Sequence, residues 1–250
     1  MWVAQFHYLC ANFLKPGMAK VKSGAKHSSE KLLDLVEVQQ KTKSFFAHNL
    51  QYVNIIGGGL LLIIAGILAY YFLYQQPRQE RAVEQMMLAQ QQFERDSFRL
   101  ALTNPGGGYS GFLDIIESYS GTKTSNLAKY YAGVSYLNLG QYDAAIDYLK
   151  DYNPGDEVTS ITTLGTLGDA YSEKNDFSNA ISYYKKAISA GNNELLTPYY
   201  IKKLGMLYLF QKDNANALSQ FTELRKQFPL SPEAGDVEKY IARAGGSGDE

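Results

Sequence analysis

The chain is poor in the residue types on which most enzymes and metal sites depend. It has one cysteine and three histidines in 250 residues, and Cys10, His7, His27 and His48 all lie in the first fifth of the chain. A single cysteine excludes an internal disulfide and any CxxC-type zinc or redox site. Because residues 51–250 contain neither residue type, most nucleophile–base pairs and transition-metal sites are excluded from the larger part of the chain. We therefore predict a protein that is not an enzyme and has no cofactor or metal.

An excess of either charge is also missing. The net charge is −1, with 24 basic and 25 acidic side chains. This balance argues against nucleic-acid binding, which usually requires a basic face. The two parts of the chain differ, however. Residues 1–50 hold seven lysines and three acids, whereas the remaining residues hold 17 basic and 22 acidic side chains.

One uncharged run separates these two parts. Residues 52–74 read YVNIIGGGLLLIIAGILAYYFLY, in which Asn54 is the only strongly polar side chain. A helix of this length covers about 34 Å, enough for a hydrocarbon core of roughly 30 Å. The tyrosines at both ends match the aromatic belts of membrane interfaces. We therefore predict a single transmembrane helix over residues 52–74, rather than a buried core helix or a cleaved signal peptide.

The lysines before the run predict its orientation. Lys41 and Lys43 precede it closely, whereas the residues that follow it are of mixed charge. The positive-inside rule then places the N-terminus in the cytoplasm and residues 75–250 outside. For a bacterium, this means an inner-membrane protein with a periplasmic domain.

The residues before the run are predicted to form a cytosolic, lysine-rich tail over residues 1–50. Within it, residues 28–50 begin with two serines and space their apolar side chains as an amphipathic helix does. Such a helix either lies at the inner membrane surface or is simply solvated. Met18 opens the lysine-rich part, and we expect it to be the true initiator.

Three segments after the run share one pattern, in residues 130–154, 164–188 and 201–229, with periods of 35 and 37 residues. Each segment has a glycine, a tyrosine three positions later, an alanine twelve positions after the glycine, and a large apolar residue four positions after the alanine. The four sets are Gly133, Gly168 and Gly205; Tyr136, Tyr171 and Tyr208; Ala145, Ala180 and Ala217; and Leu149, Tyr184 and Phe221.

This pattern predicts two helices per repeat, which touch where the small residues lie. Turns are expected at residues 140–141, 175–176 and 213–214, and helix caps are expected near Asp143, Ser178 and Asn216. The pattern resembles the tetratricopeptide repeat family, and the second segment matches it best. We therefore predict an all-α fold, in which a single transmembrane helix is followed by an α-solenoid of three to four helical hairpins.

The flanks of the repeats are predicted to cap them. Residues 78–126 are expected to form an atypical capping hairpin. It consists of a helix over residues 78–103, the NPGGG loop and a second helix after that loop. Residues 127–244 are assigned to the repeats and a C-terminal capping helix at 231–244. Residues 245–250 are expected to form a flexible tail.

The resemblance also implies a binding surface, because the first helix of each tetratricopeptide repeat lines the concave face. Two apolar, aromatic zones flank a small acidic one, which favours a groove for an apolar segment over a solvated face. In the alternative interpretation, some of these side chains pack against a neighbouring repeat. The predicted partner-binding residues are Tyr130, Val134 and Leu137; Asp169, Ser172 and Glu173; and Tyr199, Lys202, Met206, Leu209 and Phe210.

The whole architecture resembles the YfgM family of bacterial inner-membrane proteins. The resemblance covers roughly residues 40–245 and is carried by KSFFAHN at residues 43–49, the single span and the repeats after it. It implies an accessory subunit that aids the transit or folding of secreted proteins, with the Sec translocon and a membrane-anchored periplasmic chaperone as partners. The tyrosine- and asparagine-rich composition is similar to that of Bacteroidota proteins. The alternative function is a periplasmic scaffold for envelope or outer-membrane assembly. No nucleic acid or small-molecule substrate is expected.

Overall fold

A computed structural model describes residues 50–245 of the chain. Every regular element among these residues is helical, so the predicted all-α fold is confirmed. The chain divides into two compact units, Met1–Ile67 and Leu68–Glu250. The predicted cytosolic tail, its amphipathic helix, the start at Met18 and the last five residues of the predicted flexible tail lie outside the described residues.

Helix α1 runs over Leu50–Tyr70, and a π-helical segment, Tyr71–Gln75, follows it in the sequence. One helix among the described residues, Asn54–Glu94, is long and apolar enough to cross a membrane. None of its most apolar stretch is buried against other residues, whereas the core helix of a soluble protein buries its apolar side chains. This exposure supports the predicted membrane span.

Helix α2 (Gln76–Glu94) follows the π-helical segment and belongs to the second unit. Polar side chains in its first turns hold it against residues near the start of the first repeat. The Arg78 guanidinium donates to the Ser118 carbonyl oxygen at 2.8 Å, and Gln79 Nε2 donates to Thr124 Oγ1 at 2.6 Å. These bonds place α2 alongside the repeats.

The prediction of one uninterrupted helix over residues 78–103 is wrong. The structure ends α2 at Glu94, and a short helix, α3 (Phe98–Thr103), follows it. Between them Asp96 has a φ of 56°, and the Ser97 N–H donates to the Gln92 carbonyl oxygen at 2.9 Å. This is a left-handed helix end of the kind that glycine usually makes. Because aspartate also tolerates this conformation, the sequence carried no glycine to signal the break.

Helix α4 (Phe112–Ser118) follows the glycine-rich loop, as predicted. Phe112 is fully buried, and its ring stacks on that of Tyr131 with 5.3 Å between centroids. The helices before the repeats therefore share a core with the first repeat. The buried members of that core are Met86, Ala89, Ala101, Leu102, Phe112, Ile115, Ala128 and Ala132.

The three predicted repeats are each a pair of helices joined by a short turn. The first repeat is shorter than the others because its second helix ends just before Asn153 and Pro154, as the sequence indicated. The pairs are α5 (Lys123–Asn138) with α6 (Tyr142–Asp151), α7 (Glu157–Glu173) with α8 (Phe177–Ser189), and α9 (Leu196–Phe210) with α10 (Asn214–Gln227).

The recurring glycines lie where the two helices of each repeat touch. At each of them an added Cβ would overlap a side chain of the second helix, so no larger residue fits there without a shift in packing. An added Cβ at Gly133 would lie 2.6 Å from the Leu149 side chain. The corresponding distances are 2.6 Å between Gly168 and Tyr184, and 2.7 Å between Gly205 and Phe221. The recurring alanines, Ala145, Ala180 and Ala217, are fully buried.

The second helix of each repeat begins slightly earlier than the sequence suggested. In the second repeat the Asp176 carboxylate accepts the Asn179 N–H at 3.2 Å, and in the third repeat Asp213 accepts the Asn216 N–H at the same distance. Aspartate is a strong N-cap because its side chain satisfies a free N–H of the first turn. The N-caps are Gln141, Asp176 and Asp213, two or three positions before Asp143, Ser178 and Asn216.

The C-terminal cap consists of two elements rather than one helix over residues 231–244. A 3₁₀ helix, Pro232–Asp236, precedes helix α11 (Val237–Arg243). The Ser231 side chain accepts the Ala234 N–H at 3.2 Å, and Gly235 is a poor α-helix former in this stretch. Helix α11 buries Val237 and Ile241 in the core of the third repeat.

Candidate protein-binding groove

The first helices of the three repeats meet at a groove of about 890 Å³. Helix α5 contributes the end near Leu137, α7 contributes Asp169, Ser172 and Glu173, and α9 contributes Lys203, Met206 and Phe210, with Tyr142, Phe177 and Tyr184 coming from the second helices. A smaller pocket of about 300 Å³ adjoins it, because Lys203 and Met206 line both. Tyr199, Lys202 and Glu233 line the smaller pocket. We call these two cavities together the groove.

Most residues that the sequence assigned to a binding surface line this groove. Leu137, Asp169, Ser172, Glu173, Tyr199, Lys202, Met206 and Phe210 are brought together there. The other three are not among its lining residues. Tyr130 and Val134 pack against the core between the first and second repeats, and Leu209 packs against the core of the third.

Tyr130 illustrates why the helix face alone did not identify every groove residue. Its ring lies half-buried between those of Tyr131 and Tyr152, with centroids 5.9 and 5.5 Å away. Burial raises the pKa of Tyr130, although hydrogen bonds to Thr162 and Thr166 act in the opposite direction. The side chain therefore joins two repeats and is poorly placed to anchor a partner.

A charged network forms the floor of the groove around Asp169. Its Oδ1 accepts a hydrogen bond from the Tyr184 hydroxyl at 2.6 Å and one from Lys203 Nζ at 2.7 Å. Burial raises the pKa of Tyr184, and the Asp169 charge raises it further. Burial lowers the pKa of Lys203, but the Asp169 carboxylate outweighs this effect and the pKa lies above its usual value. Asp169 and Lys203 therefore form an ion pair in which each charge offsets the other.

The sequence analysis missed Lys203 and Tyr184 as groove residues. Lys203 comes 34 positions after Asp169, close to one repeat period, so it is on the first helix of the next repeat. The repeat period could therefore have identified Lys203 as a groove residue from the sequence. Tyr184 had been assigned only to helix contact, and it does pack against Gly168 while its hydroxyl reaches Asp169. One side chain thus serves both packing and the groove.

Three apolar side chains of α9 remain exposed in the groove. The exposed fractions are 41% for Tyr199, 45% for Met206 and 70% for Phe210. Their spacings of seven and four residues place them on one side of the helix. The Phe210 ring contacts that of Phe177 with 5.4 Å between centroids, so the apolar surface continues onto α8. Clustered exposed apolar side chains are typical of interaction sites, whereas isolated ones are common anywhere.

The described residues hold no arrangement suited to metal binding. No group of three or more His, Cys, Asp or Glu side chains within residues 50–245 is placed to hold a metal ion. The groove instead combines exposed apolar side chains with paired charges, and this arrangement suits the binding of a polypeptide segment.

Comparison with known families agrees with the repeat architecture. Two sequence profiles, both described as tetratricopeptide repeat, match the chain, one at residues 127–152 and 203–231 and the other at residues 161–191. Each match contains one of the recurring glycines. No curated protein matches the chain. The chain therefore contains three tetratricopeptide repeats, and such repeats indicate a protein–protein interaction module.

Proposed function

We propose that this protein is a membrane-anchored, non-enzymatic adaptor that holds a segment of a partner protein in its groove. The observation that carries the proposal is the exposed apolar row of Tyr199, Met206 and Phe210 within a cavity large enough for several side chains. Water-exposed apolar surface is unfavourable in the free protein, and a bound segment would remove it from water. The Asp169–Lys203 ion pair in the groove supports a binding role over catalysis, because each charge already offsets the other.

We further propose that the partners belong to the machinery of protein export, namely the Sec translocon and a membrane-anchored periplasmic chaperone. The resemblance of residues 40–245 to the YfgM family supports this assignment, together with one apolar helix before the repeats. In this role the groove would hold a translocon subunit, the chaperone or an emerging client, and membrane anchoring would keep the site near the point of export. The competing role is a scaffold for envelope assembly.

Co-purification from native membranes in a mild detergent separates these roles. We expect an affinity-tagged full-length chain to bring down translocon subunits and the chaperone in amounts well above those recovered with an untagged control. The physical reason is that a shared membrane raises the effective concentration of weakly bound partners. Recovery of outer-membrane assembly factors without translocon subunits would instead establish the scaffold role.

The proposed orientation predicts which end of the chain is accessible from outside the cell. In a Cys10→Ser background, Ser247→Cys should react with a membrane-impermeant maleimide in intact spheroplasts. Ser23→Cys should react only after the membrane is permeabilised, because the lysine-rich tail stays in the cytoplasm. Labelling is measured by the mass shift of the protein. The reverse pattern would place the repeats in the cytoplasm and remove the periplasmic role.

A further inference from the structure

The lysines of the groove are already occupied by acids of the same chain. Lys203 pairs with Asp169 at 2.7 Å, and Lys202 pairs with Asp236 at 2.5 Å. Both ammonium groups also lie over tyrosine rings, Lys203 at 5.0 Å from the centroid of Tyr199 and Lys202 at 5.2 Å from that of Tyr240. An acidic segment would therefore have to break an existing ion pair before it could use either lysine.

Two carboxylates of the groove are in the opposite situation. Glu173 is exposed. Within residues 50–245 its carboxylate accepts a hydrogen bond from the Tyr142 hydroxyl, and the oxygen–oxygen distance of 3.4 Å is long. No cation of the described residues forms a salt bridge with it, since its neighbour Lys174 pairs with Asp143. Its negative charge is thus available to a ligand.

Glu233 lies at the other end of the groove, in the smaller pocket beside Lys203 and Met206. Its Oε2 is shielded from solvent and accepts no hydrogen bond from any described residue. A buried acceptor without a donor is unfavourable by about 1–3 kcal/mol, and more when the group is charged. A bound segment that draws the Glu233 carboxylate into the pocket and donates to it removes this cost. Both ends of the groove therefore favour a positively charged, hydrogen-bond-donating group on the ligand.

We propose that the groove selects apolar segments that carry lysine or arginine and disfavours acidic ones. This inference rests on the proposed function, because it names the chemistry of the segment held in the same site. Apolar side chains of the segment cover Met206 and Phe210. A basic side chain neutralises Glu173, and a second donor pairs with the Glu233 carboxylate as it turns into the pocket. Complementary charge of this kind contributes more to the choice of partner than to raw affinity.

Two synthetic peptides test the proposal. They share one apolar core of leucine, phenylalanine and alanine and differ only in their flanks, which are lysines in one and glutamates in the other. Each peptide carries fluorescein, and binding to the full-length chain in phosphatidylcholine nanodiscs is followed by fluorescence anisotropy. We expect the lysine peptide to bind at least about tenfold more tightly than the glutamate peptide at low salt, with the difference shrinking as salt rises.

Variants of the two acids identify the cause of the preference. Glu173→Gln and Glu233→Gln should each weaken binding of the lysine peptide by about tenfold, since each removes a negative charge that pairs with a basic side chain. Glu117→Gln, an exposed change of equal charge on α4 outside the groove, should leave binding unchanged. Glu173→Lys should reverse the preference toward the glutamate peptide. Circular dichroism confirms that each variant remains helical.

The outcomes separate this proposal from the proposed function. Phe210→Ala should weaken the lysine peptide, which would show that binding occurs in the groove and not by adsorption elsewhere. If both peptides bind equally and Phe210→Ala weakens both, the groove binds segments but the charge selection is wrong. If neither peptide binds, or Phe210→Ala changes nothing, both the selection and the groove as a binding site are wrong.

Discussion

Replacing Gly165 with alanine is expected to destabilise the protein by about 2 kcal/mol, although alanine is the better helix former. A Cβ at this position would lie 1.9 Å from Cζ of Tyr200, which is only 5% exposed and whose ring stacks near that of Tyr184. Overpacking of this kind costs about 3 kcal/mol, whereas the gain in helix propensity is about 1 kcal/mol. Chemical denaturation of the full-length chain measures the difference.

Two controls test this explanation. Gly235→Ala introduces a Cβ that meets nothing within 4 Å, so it should change the free energy of unfolding by no more than about 0.5 kcal/mol. In a Tyr200→Ala background, Gly165→Ala should lose most of its cost, because the ring that it would overlap has been removed. An equal cost in both backgrounds would show that the contact between α7 and α9 is not the cause.

Removing the two most exposed apolar side chains of the groove is expected to abolish partner binding. In Met206→Ala combined with Phe210→Ala, each lost anchor should cost about 2 kcal/mol, so affinity should fall on the order of a thousandfold. The fold should be retained, because Phe210 is 70% exposed and its removal leaves no large cavity. Loss of the partner in co-purification, with an unchanged circular dichroism spectrum, would support the proposed site.

A matched control is available on α2, outside the groove. Val83 and Met87 are each 56% exposed, so Val83→Ala combined with Met87→Ala removes a similar amount of exposed apolar surface. This variant should retain the partner. If it loses the partner while the groove variant keeps it, the binding surface lies along α2 and the groove is not the site.

The repeats could be predicted because their packing recurs at a fixed spacing. Each glycine faces a large side chain of its own repeat sixteen positions later, so the pair that touches is visible in one stretch of sequence. Gly168 with Tyr184 and Gly205 with Phe221 are both in close contact, as that spacing implies. The apolar helix could also be predicted from the sequence, because the ability to cross a membrane depends on the composition of about twenty consecutive residues.

The helix break at Asp96 and the split C-terminal cap were not predicted for a different reason. Aspartate is not a residue type that requires a left-handed conformation, although Asp96 adopts one. The break is stabilised by packing of Phe98 back onto Phe93, with 5.5 Å between ring centroids. Such a contact forms only once the chain has turned, and the residues on both sides of Asp96 have a helical sequence pattern. The sequence pattern therefore gave no indication that α2 ends at Glu94.

Local periodicity along the chain was enough to predict the helical class, the register of the three repeats and eight of the residues that line the groove. Which of these side chains remain free to contact a partner depends instead on how the repeats pack against one another. The stacking of the repeats packs Tyr130 between two of them, pairs Asp169 with Lys203, and leaves Glu233 Oε2 without a donor among the described residues. These outcomes depend on atoms from different repeats within a few ångströms of each other. Spacing along one helix cannot specify such distances, because they are set by how the repeats stack.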